Sequence, residues 1–480
     1  MTKLITKSGL LSGLRCPKLL WLKTHQPELA QASATSQLTS GAGIELGLLA
    51  RLNYPDGILV EQVAQPELAL TETARLIAGK PQVPLFEAAF RHKGTLVRAD
   101  ILAPTPTGWC MTEVKSAASV KDQHLLDCAI QLWVLAGAGI AVEQVCVAHV
   151  DTGFEYAGDG NYAKLIGEED VTEQVRDLLG EVPGWLASHH SILDNPLPNV
   201  RMGSQCKPDC SFMEFCQKGL PEYPVSILPN GRNLIAELQD AGYEDIRDIP
   251  DGVLTNERHL MVLRATRSNT PFIAPYLKTE LAKLPYPRFY LDFETINFVI
   301  PHWAGTRPHQ QLPFQWSCHI EGQGGELEHR EFLDSSGNAP MRSFAESLIT
   351  AVEFDGPIIV YGTFEATVLK QLIQFCPDLE LPLQDIIDRL VNLLPWLREY
   401  YYHPAMKGSW SIKAVLPTVA PHLNYSQLED VQNGTLAQMA YINIIDPNTP
   451  DEMRARKIRN LLEYCKLDTQ AMVEVVRFFQ

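Results

Sequence analysis

The sequence lacks any apolar run of about 18 residues, the length that a helix needs to cross a bilayer. It also lacks internal repeats and low-complexity tracts. Its first residues, MTKLITKSGLLSGL, are basic and mildly apolar, without an apolar core followed by a small-residue cleavage site. We therefore expect a cytoplasmic protein with no membrane segment. A chain of 480 residues is too long for one compact domain, so two or three are expected.

Positive charge is scarce, with 40 Lys and Arg against 57 Asp and Glu and a formal net charge of −17. This balance argues against a simple nucleic-acid-binding surface, which is usually basic. It is compatible with a metal-dependent nuclease, because carboxylates hold the cations that meet phosphates. The residues before Glu28 include no acid, and they form either a local basic surface or a solvated helix face. Their basic side chains are Lys3, Lys7, Arg15, Lys18 and Lys23.

Strand and helix signals divide the chain into three zones. Residues 1–221 and 286–480 each alternate apolar strands, such as LVRADIL and RFYLDFETI, with helical stretches, which predicts α/β architecture in both. Residues 222–285 are rich in proline and mostly helical. They are predicted to be a small helical linker. ELQDAGYEDIRDIPDGVL also looks somewhat like a helix-hairpin-helix unit, whose turn could meet DNA phosphates.

The first candidate site lies on two predicted strands, LVRADIL and WCMTEVKS, joined by the turn-rich APTPTG. Glu113 and Lys115 share a strand face, and Asp100 can join them if the strands pair. Two carboxylates suit a hard divalent cation, and the lysine can stabilise charge on a phosphate. Gln131, on the following predicted helix, could reach back toward the lysine or a water molecule. The alternative is a solvated pair of Glu113 and Lys115.

The order Asp100, hairpin, Glu113-x-Lys115 and then Gln131 resembles the RecB-like PD-(D/E)xK nucleases. The resemblance implies a restriction-endonuclease-like domain over residues 1–221 that cuts DNA with Mg²⁺ or Mn²⁺. In GAGIELG, Glu45 stands where the family usually has a histidine that ligates the metal. It is either a further ligand or an ordinary helix carboxylate.

Ten cysteines in a chain expected to be intracellular argue against a disulfide framework and leave metal ligation open. Four of them form a candidate set, in which one cysteine lies near the N-terminus and three lie within eleven residues of one another. They are Cys16, Cys206, Cys210 and Cys216. Four thiolates suit a [4Fe–4S] cluster or tetrahedral zinc, and isolated buried thiols are the alternative. The one-plus-three spacing resembles that of RecB-like nucleases in which an iron–sulfur cluster ties the N-terminal helix to the end of the domain. The others lie in apolar stretches and are predicted to be core: Cys110, Cys128, Cys146, Cys318, Cys376 and Cys465.

The second candidate site lies in the third zone. Asp292 and Glu294 lie two apart on the apolar strand YLDFETI, where buried carboxylates need cations or partners. Glu365 follows a predicted strand at the start of a helix. Tyr464 and Asp468 are four apart on the last predicted helix and so share a face.

This order of acids and tyrosine resembles the DEDD exonucleases of the RNase H-like fold, nearest to the DEDDy subgroup. The resemblance implies that four acids hold two divalent metals and that Tyr464 helps to orient the attacking water. Glu365 departs from the family, which has an aspartate there. Asp385 and Asp388 compete for an acidic role, although a structural role is favoured for both. The zone also resembles a family without assigned function found C-terminal to RecB-type nucleases, through LPFQWSCHI, YYHPAMKGSWSIKAVLP and EYCKLDTQAMV.

The motifs together predict a metal-dependent DNA nuclease, more an exonuclease than an endonuclease. The resemblance implies a setting in DNA repair, recombination or defence against foreign DNA, often beside a helicase. The alternative is a nucleic-acid-binding or scaffolding subunit of a nuclease–helicase complex with one or both sites silent. Three tryptophans, Trp21, Trp303 and Trp316, could stack bases, but core packing is predicted for each.

Overall fold

The computed structural model describes residues 5–31, 34–61, 65–203, 206–207 and 209–480. The prediction of an α/β protein is confirmed, because mixed sheets and helices make up the described chain. Two compact units divide it. The first takes in Met1–Gln217 and Phe298–His309, and the second takes in Lys218–Asn297 and Gln310–Gln480. None of the helices in the described ranges is both long and apolar enough to span a membrane.

The strands of the first unit form one mixed sheet. Within the described residues they are β1 (Ile5–Thr6), β2 (Ile58–Leu59), β3 (Leu85–His92), β4 (Thr95–Pro104), β5 (Trp109–Lys115), β6 (Val142–Val150) and β7 (Ile166–Asp170). The order is β2-β3-β4-β5-β6-β7, with β1 pairing in parallel with β4. β3, β4 and β5 form an antiparallel meander, and β6 runs parallel to β5. The meander therefore places the two strands of the first candidate site side by side.

The helices of the first unit are α1 (Lys7–Arg15), α2 (Pro17–His25), α3 (Ala34–Leu52), α4 (Pro66–Ala78), α5 (Asp122–Gly137), α6 (Thr172–Leu178), α7 (Val182–Asp194) and α8 (Met213–Gln217). α5 is the crossover that parallel β5 and β6 require. It is rich in helix formers up to Gly137. Its buried residues include Cys128, Val134 and Leu135, which belong to the main core of the unit. This burial determines how α5 is rotated against the rest of the unit, and so sets the position of Gln131.

A five-stranded sheet forms the centre of the second unit. The strands of this unit are β8 (Phe272–Ile273), β9 (Arg288–Ile296), β10 (Leu312–Glu321), β11 (Leu327–Leu333), β12 (Ile358–Val360), β13 (Leu390–Asn392) and β14 (Tyr401–Tyr402). The sheet has the order β11-β10-β9-β12-β13, and β14 pairs with β8. β9 and β11 are antiparallel to β10, whereas β12 is parallel to β9 and to β13. β9 is central and almost wholly buried, which explains its apolar sequence.

The helices of the second unit are α9 (Arg232–Asp240), α10 (Glu257–Ser268), α11 (Tyr276–Ala282), α12 (Met341–Ala351), α13 (Phe364–Phe375), α14 (Glu380–Asp388), α15 (Leu393–Tyr400), α16 (Ile412–Val419), α17 (Gly434–Ile445) and α18 (Asp451–Phe479). α9 to α11 lie in the predicted linker. Their residues Leu238, Val262 and Leu277 share one hydrophobic core with Tyr290 of β9 and Val473 of α18. Residues 222–285 thus pack as part of the second unit, and their helix-hairpin-helix interpretation stays a prediction.

Residues 298–309 lie within the predicted third zone but pack in the first unit. The Tyr162 hydroxyl donates a hydrogen bond to the Pro301 carbonyl at 3.0 Å. The backbone N–H of Tyr156 donates to the carbonyl of Thr306, also at 3.0 Å. These long-range contacts explain why a boundary drawn from sequence order alone does not separate the two units.

Candidate functional site

Three carboxylates of the second unit converge on the central strand of its sheet. Asp292 and Glu294 lie two apart on β9 and project from one face. Asp468 lies on α18, which packs against β9. One oxygen from each carboxylate lies within 4.8 Å of the other two. A Mg²⁺–oxygen distance of about 2.1 Å lets two ligand oxygens lie up to about 4.2 Å apart, so small side-chain rotations would bring all three to one cation.

The fourth predicted acid, Glu365, is the second residue of α13 and is only 3% exposed. Its Oε2 has no hydrogen-bond partner among the described residues. Burial raises the pKa of Glu365 to about 7, and its charge helps to raise the pKa values of Asp292 and Glu294. A buried carboxylate oxygen without a partner costs free energy unless a donor or a cation satisfies it. Glu365 therefore fits a set of metal ligands.

Burial and mutual repulsion disfavour the charged forms of these acids. Burial first, and neighbouring carboxylates second, raise the pKa of Asp292 well above its ordinary value and that of Glu294 to about 8. Burial also raises the pKa of Asp468 to about 6, against the lowering effect of the Tyr425 hydroxyl and the Lys413 charge. A divalent cation would offset both penalties, because it places opposite charge within the group.

A lysine and two tyrosines border the acids of the second unit. The Tyr425 hydroxyl donates a hydrogen bond to Asp468 Oδ1. Lys413 Nζ donates to the Tyr464 hydroxyl at 3.0 Å and to the Gln432 carbonyl at 2.6 Å. The same ammonium lies 4.7 Å from the ring centroid of Tyr464 and 5.1 Å from that of Tyr425. Tyr464, which was predicted from the sequence, thus lies between the Lys413 ammonium and the acids.

In the first unit, the hairpin of β4 and β5 brings the predicted acids together. The pairing of β4 with β5 ends at Ile101 and Thr112, the residues next to Asp100 and Glu113. Asp100 Oδ2 accepts a hydrogen bond from the Val114 backbone N–H at 2.8 Å. Burial first, and the charge of Glu113 second, raise the pKa of Asp100 to about 8.

Two lysines and a glutamine surround Glu113. Its Oε1 accepts hydrogen bonds from Lys115 Nζ at 2.6 Å and from Lys7 Nζ at 2.7 Å. Its Oε2 accepts one from Gln131 Nε2 at 2.6 Å. Burial alone would raise the pKa of Glu113, but the charges of Lys7 and Lys115 outweigh it and lower this pKa well below its usual range. Gln131 therefore contacts the glutamate, whereas Lys115 or a water was its predicted target.

Asp127 is a further carboxylate of this group. It accepts hydrogen bonds from Lys115 at 2.6 Å and from Gln131 at 3.2 Å, and it pairs with Lys7 at 3.0 Å. Asp127 lies four residues before Gln131 on α5, so helical spacing was a signal that sequence reasoning could have used. Lys7 carried no such signal, because it lies 106 residues before Glu113.

The remaining candidate acids lie on helix surfaces. Glu45 is exposed on α3, and its predicted role as a ligand stays a prediction. Asp385 and Asp388 are exposed on α14. Asp385 pairs with Arg389 at 3.1 Å, and Asp388 accepts a hydrogen bond from Gln384 at 2.7 Å. Both contacts suit the structural role favoured for these two acids.

Three of the candidate cysteines lie near enough to Cys216 to affect its pKa. Burial raises the pKa of the Cys216 thiol, and the charges of Cys206, Cys210 and Cys16 raise it further. All four are half-buried. Cys16 and Cys210 pack on one small apolar cluster centred on Leu19, Leu22 and Phe212. The chain thus brings Cys16 and the three later thiols into the same region of the unit, and a cluster or a metal ion on them stays a prediction.

The other cysteines and the tryptophans are mostly core residues. Buried thiols are Cys128, Cys146, Cys318, Cys376 and Cys465, whereas Cys110 is half-buried. Trp303 and Trp316 are buried. Trp21 is half-buried, stacks on His25 and donates its indole N–H to the Asn195 carbonyl at 2.9 Å.

Residues 289–411 match the profile of a family described as a domain of unknown function, DUF2779. This stretch includes Asp292, Glu294 and Glu365 and ends before Lys413 and Asp468. The chain is also similar to the uncharacterized protein UU173 of Ureaplasma parvum serovar 3 (strain ATCC 700970). The two are 25% identical over an alignment of 223 residues, and the match covers 42% of this chain and 32% of that protein. The chain thus spans about a third of the length of this relative, and neither description names an activity.

Proposed function

We propose that the chain is a metal-dependent DNA nuclease whose second unit carries a DEDD-type exonuclease site. The observation that carries the proposal is the convergence of Asp292, Glu294 and Asp468 within 4.8 Å. Glu365 adds a buried carboxylate oxygen without a partner. Charge repulsion makes it unfavourable to place carboxylates so close together. Such groups are therefore expected where divalent cations bind.

The residues of this site have distinct roles in the proposed reaction. Asp292, Glu294, Glu365 and Asp468 would hold Mg²⁺ or Mn²⁺, which when bound would polarise the phosphodiester and activate a water. Tyr464 orients that water with its hydroxyl. The burial of the site limits competing solvent.

The topology of the second unit supports an RNase H-like fold. Its first long strand, β9, lies at the centre of the sheet between an antiparallel hairpin and two parallel strands. Asp292 and Glu294 lie on that strand, where the resemblance to the DEDD exonucleases expects the first acids.

The topology of the first unit supports a restriction-endonuclease-like domain. An antiparallel meander, the helix α5 and the parallel strand β6 follow one another along the chain. Asp100 lies on β4, Glu113 and Lys115 lie on β5, and Gln131 lies on α5. We propose that Asp100 and Glu113 bind a divalent cation and that Lys115 stabilises charge on the phosphate.

We further propose a [4Fe–4S] cluster on the four candidate cysteines, with zinc as the alternative. Cys16, Cys206, Cys210 and Cys216 would hold the cluster, whose role would be to tie the start of the unit to its end. The influence of Cys16, Cys206 and Cys210 on the pKa of Cys216 supports this assignment. A role in DNA repair, recombination or defence, beside a helicase, belongs to the same proposal.

Cleavage assays with the purified full chain test the proposed nuclease. The substrates are single- and double-stranded DNA, labelled at either end, with Mg²⁺ or Mn²⁺. We expect cleavage that a chelator abolishes and that Asp292→Asn lowers by at least about a hundredfold, since even outer-shell partners of ligands contribute about 10- to 100-fold. Asp388→Asn, which removes an exposed acid from the same unit, is the matched control.

Lys115→Ala reports on the first site in the same assays. If neither Asp292→Asn nor Lys115→Ala changes cleavage, the proposal of two active sites is wrong. If the parent protein binds DNA but does not cut it with either metal, the chain is a binding subunit with silent sites.

A further inference from the structure

Four charged side chains of the first unit form a closed group, which we call the lysine-bridged group: Lys7, Glu113, Lys115 and Asp127. Each ammonium contacts both carboxylates. Lys7 lies 2.7 Å from Glu113 and 3.0 Å from Asp127. Lys115 lies 2.6 Å from each. Two negative and two positive charges therefore neutralise one another.

The buried members of this group are the acids. The side chains of Glu113 and Asp127 are 3% and 5% exposed, whereas those of Lys7 and Lys115 are 21% and 24% exposed. The two lysine side chains are therefore the members of the group that solvent reaches, and they mark its more open side. A cation from solvent would meet the carboxylates along the same side, at the positions that the ammonium groups hold.

A buried glutamine that contacts both carboxylates carries an unsatisfied acceptor. Gln131 is fully buried, and its Nε2 donates to both Glu113 and Asp127. Its Oε1 has no hydrogen-bond partner among the described residues. Buried amide oxygens are normally satisfied. A hydrated cation would supply the missing donor through one of its water ligands.

We propose that Glu113 and Asp127 form a divalent-cation site whose cation position is held by the Lys7 ammonium, so that cation binding displaces Lys7. Asp127 is then a ligand of the first site beyond the residues expected from sequence. The inference rests on the proposed function in one respect, because it takes the first site to bind a divalent cation.

Lys7, and not Lys115, is the side chain that the bound cation displaces. Lys115 lies two residues from Glu113 on β5 and shares its strand face. Lys7 belongs to another element and is the first residue of α1. Its four-carbon stem has several rotamers, so the ammonium can swing away while the helix stays in place. The second unit differs, because Lys413 donates to Tyr464 and Gln432 there, not to the acids.

Mn²⁺ binding to the full chain tests this proposal without any measure of activity. All proteins carry Asp292→Asn and Glu294→Gln, so the second site does not contribute, and free Mn²⁺ is followed by electron paramagnetic resonance. We expect Lys7→Met to bind Mn²⁺ at least about tenfold more tightly than its parent, because a site blocked most of the time loses affinity in proportion. Lys7→Arg keeps the charge and should bind as weakly as the parent. Lys164→Met, which removes an exposed lysine of the same unit, should have no effect.

Asp127→Asn in the Lys7→Met protein should abolish the gain in affinity. Equal affinity of the parent and Lys7→Met, or a gain that survives Asp127→Asn, would overturn the proposal.

A lysine-acylation experiment on the parent protein needs no substitution at Lys7. Mn²⁺ should increase the labelling of Lys7 and leave that of Lys164 unchanged, and constant Lys7 labelling at saturating Mn²⁺ would equally overturn it. Since cleavage by the second site enters neither measurement, failure here leaves the proposed nuclease standing.

Discussion

At the scale of single residues, Lys413 links the tyrosines of the second unit to its acids. Its ammonium donates to the Tyr464 hydroxyl and lies over the rings of Tyr464 and Tyr425. We expect Lys413→Met to lower kcat about tenfold, or roughly 1.4 kcal/mol, because Tyr464 loses the partner that orients its hydroxyl. Mn²⁺ affinity should not fall, since this ammonium donates no hydrogen bond to the acids and its positive charge, which lowers the pKa of Asp468, is removed.

A double-mutant cycle separates this positioning role from a general structural one. Tyr464→Phe should cost about as much as Lys413→Met, and the two changes together should cost little more than either alone. Lys370→Met, at an exposed position of α13, should leave kcat unchanged. Additive losses in the double variant would show that Lys413 does not act through Tyr464.

The sequence motifs predicted the four acids and Tyr464 of the second unit, and they missed Lys413 and Tyr425. Asp292 and Glu294 share a face because strand alternation is local. Lys413 contacts Tyr464 from 51 residues away, and Tyr425 reaches Asp468 from 43 residues away. Neither residue lies at a sequence spacing from the acids that would have indicated a contact with them. Their positions depend on how α16 and α18 pack, which a single sequence does not state.

At the scale of elements, the buried His319 and the half-buried His329 take part in the contact between the sheet of the second unit and α18. His319 Nδ1 lies 2.8 Å from Thr469 Oγ1, and the Ser317 hydroxyl lies 2.9 Å from both Thr469 Oγ1 and His329 Nε2. Burial first lowers both pKa values, that of His319 to about 3 and that of His329 to about 4. The nearby charges of Lys466 and Arg477 lower the pKa of His319 further.

The lowered pKa values of these two histidines predict that the free energy of unfolding decreases at acidic pH. Both histidines stay neutral in the folded chain, whereas the unfolded chain takes up protons as the pH falls through about 6.5. The free energy of unfolding should therefore decrease between pH 6.5 and about 4, by up to about 1.4 kcal/mol per pH unit for each histidine. His319→Gln should flatten this slope in denaturant titrations. His422→Gln, at an exposed position, should keep the parental slope, and equal slopes for all three proteins would contradict the prediction.

The apolar alternation of the sequence predicted several elements well, including the strand that became β9 and the last helix. The order of strands in a sheet could not be predicted in the same way. β9 pairs with β10 and β12, and pairing partners depend on contacts between distant segments. The segment at 298–309 shows the same limit, because its backbone pairs with Tyr156 about 150 residues earlier.

At the scale of the whole molecule, the proposed cluster on the four candidate cysteines would join the start of the first unit to its end. Cys16 precedes α2, whereas Cys206, Cys210 and Cys216 lie at or near α8, close to 200 residues later. A cross-link over so long a loop stabilises mainly by restricting the unfolded chain. The core of the second unit contains none of these cysteines, so their loss should destabilise one unit and spare the other.

Cys216→Ser tests this difference. By analogy with the loss of a structural disulfide, we expect it to cost about 2–5 kcal/mol, and thermal unfolding should show an earlier transition for the first unit. Cleavage that depends on Asp292 should persist at moderate temperature, because that site lies in the second unit. Cys110→Ser, at a half-buried thiol of the first unit outside the set, is the matched control. Iron and sulfide analysis of the purified parent identifies the ligand: a brown protein with both elements supports the cluster, whereas a colourless protein containing zinc contradicts it.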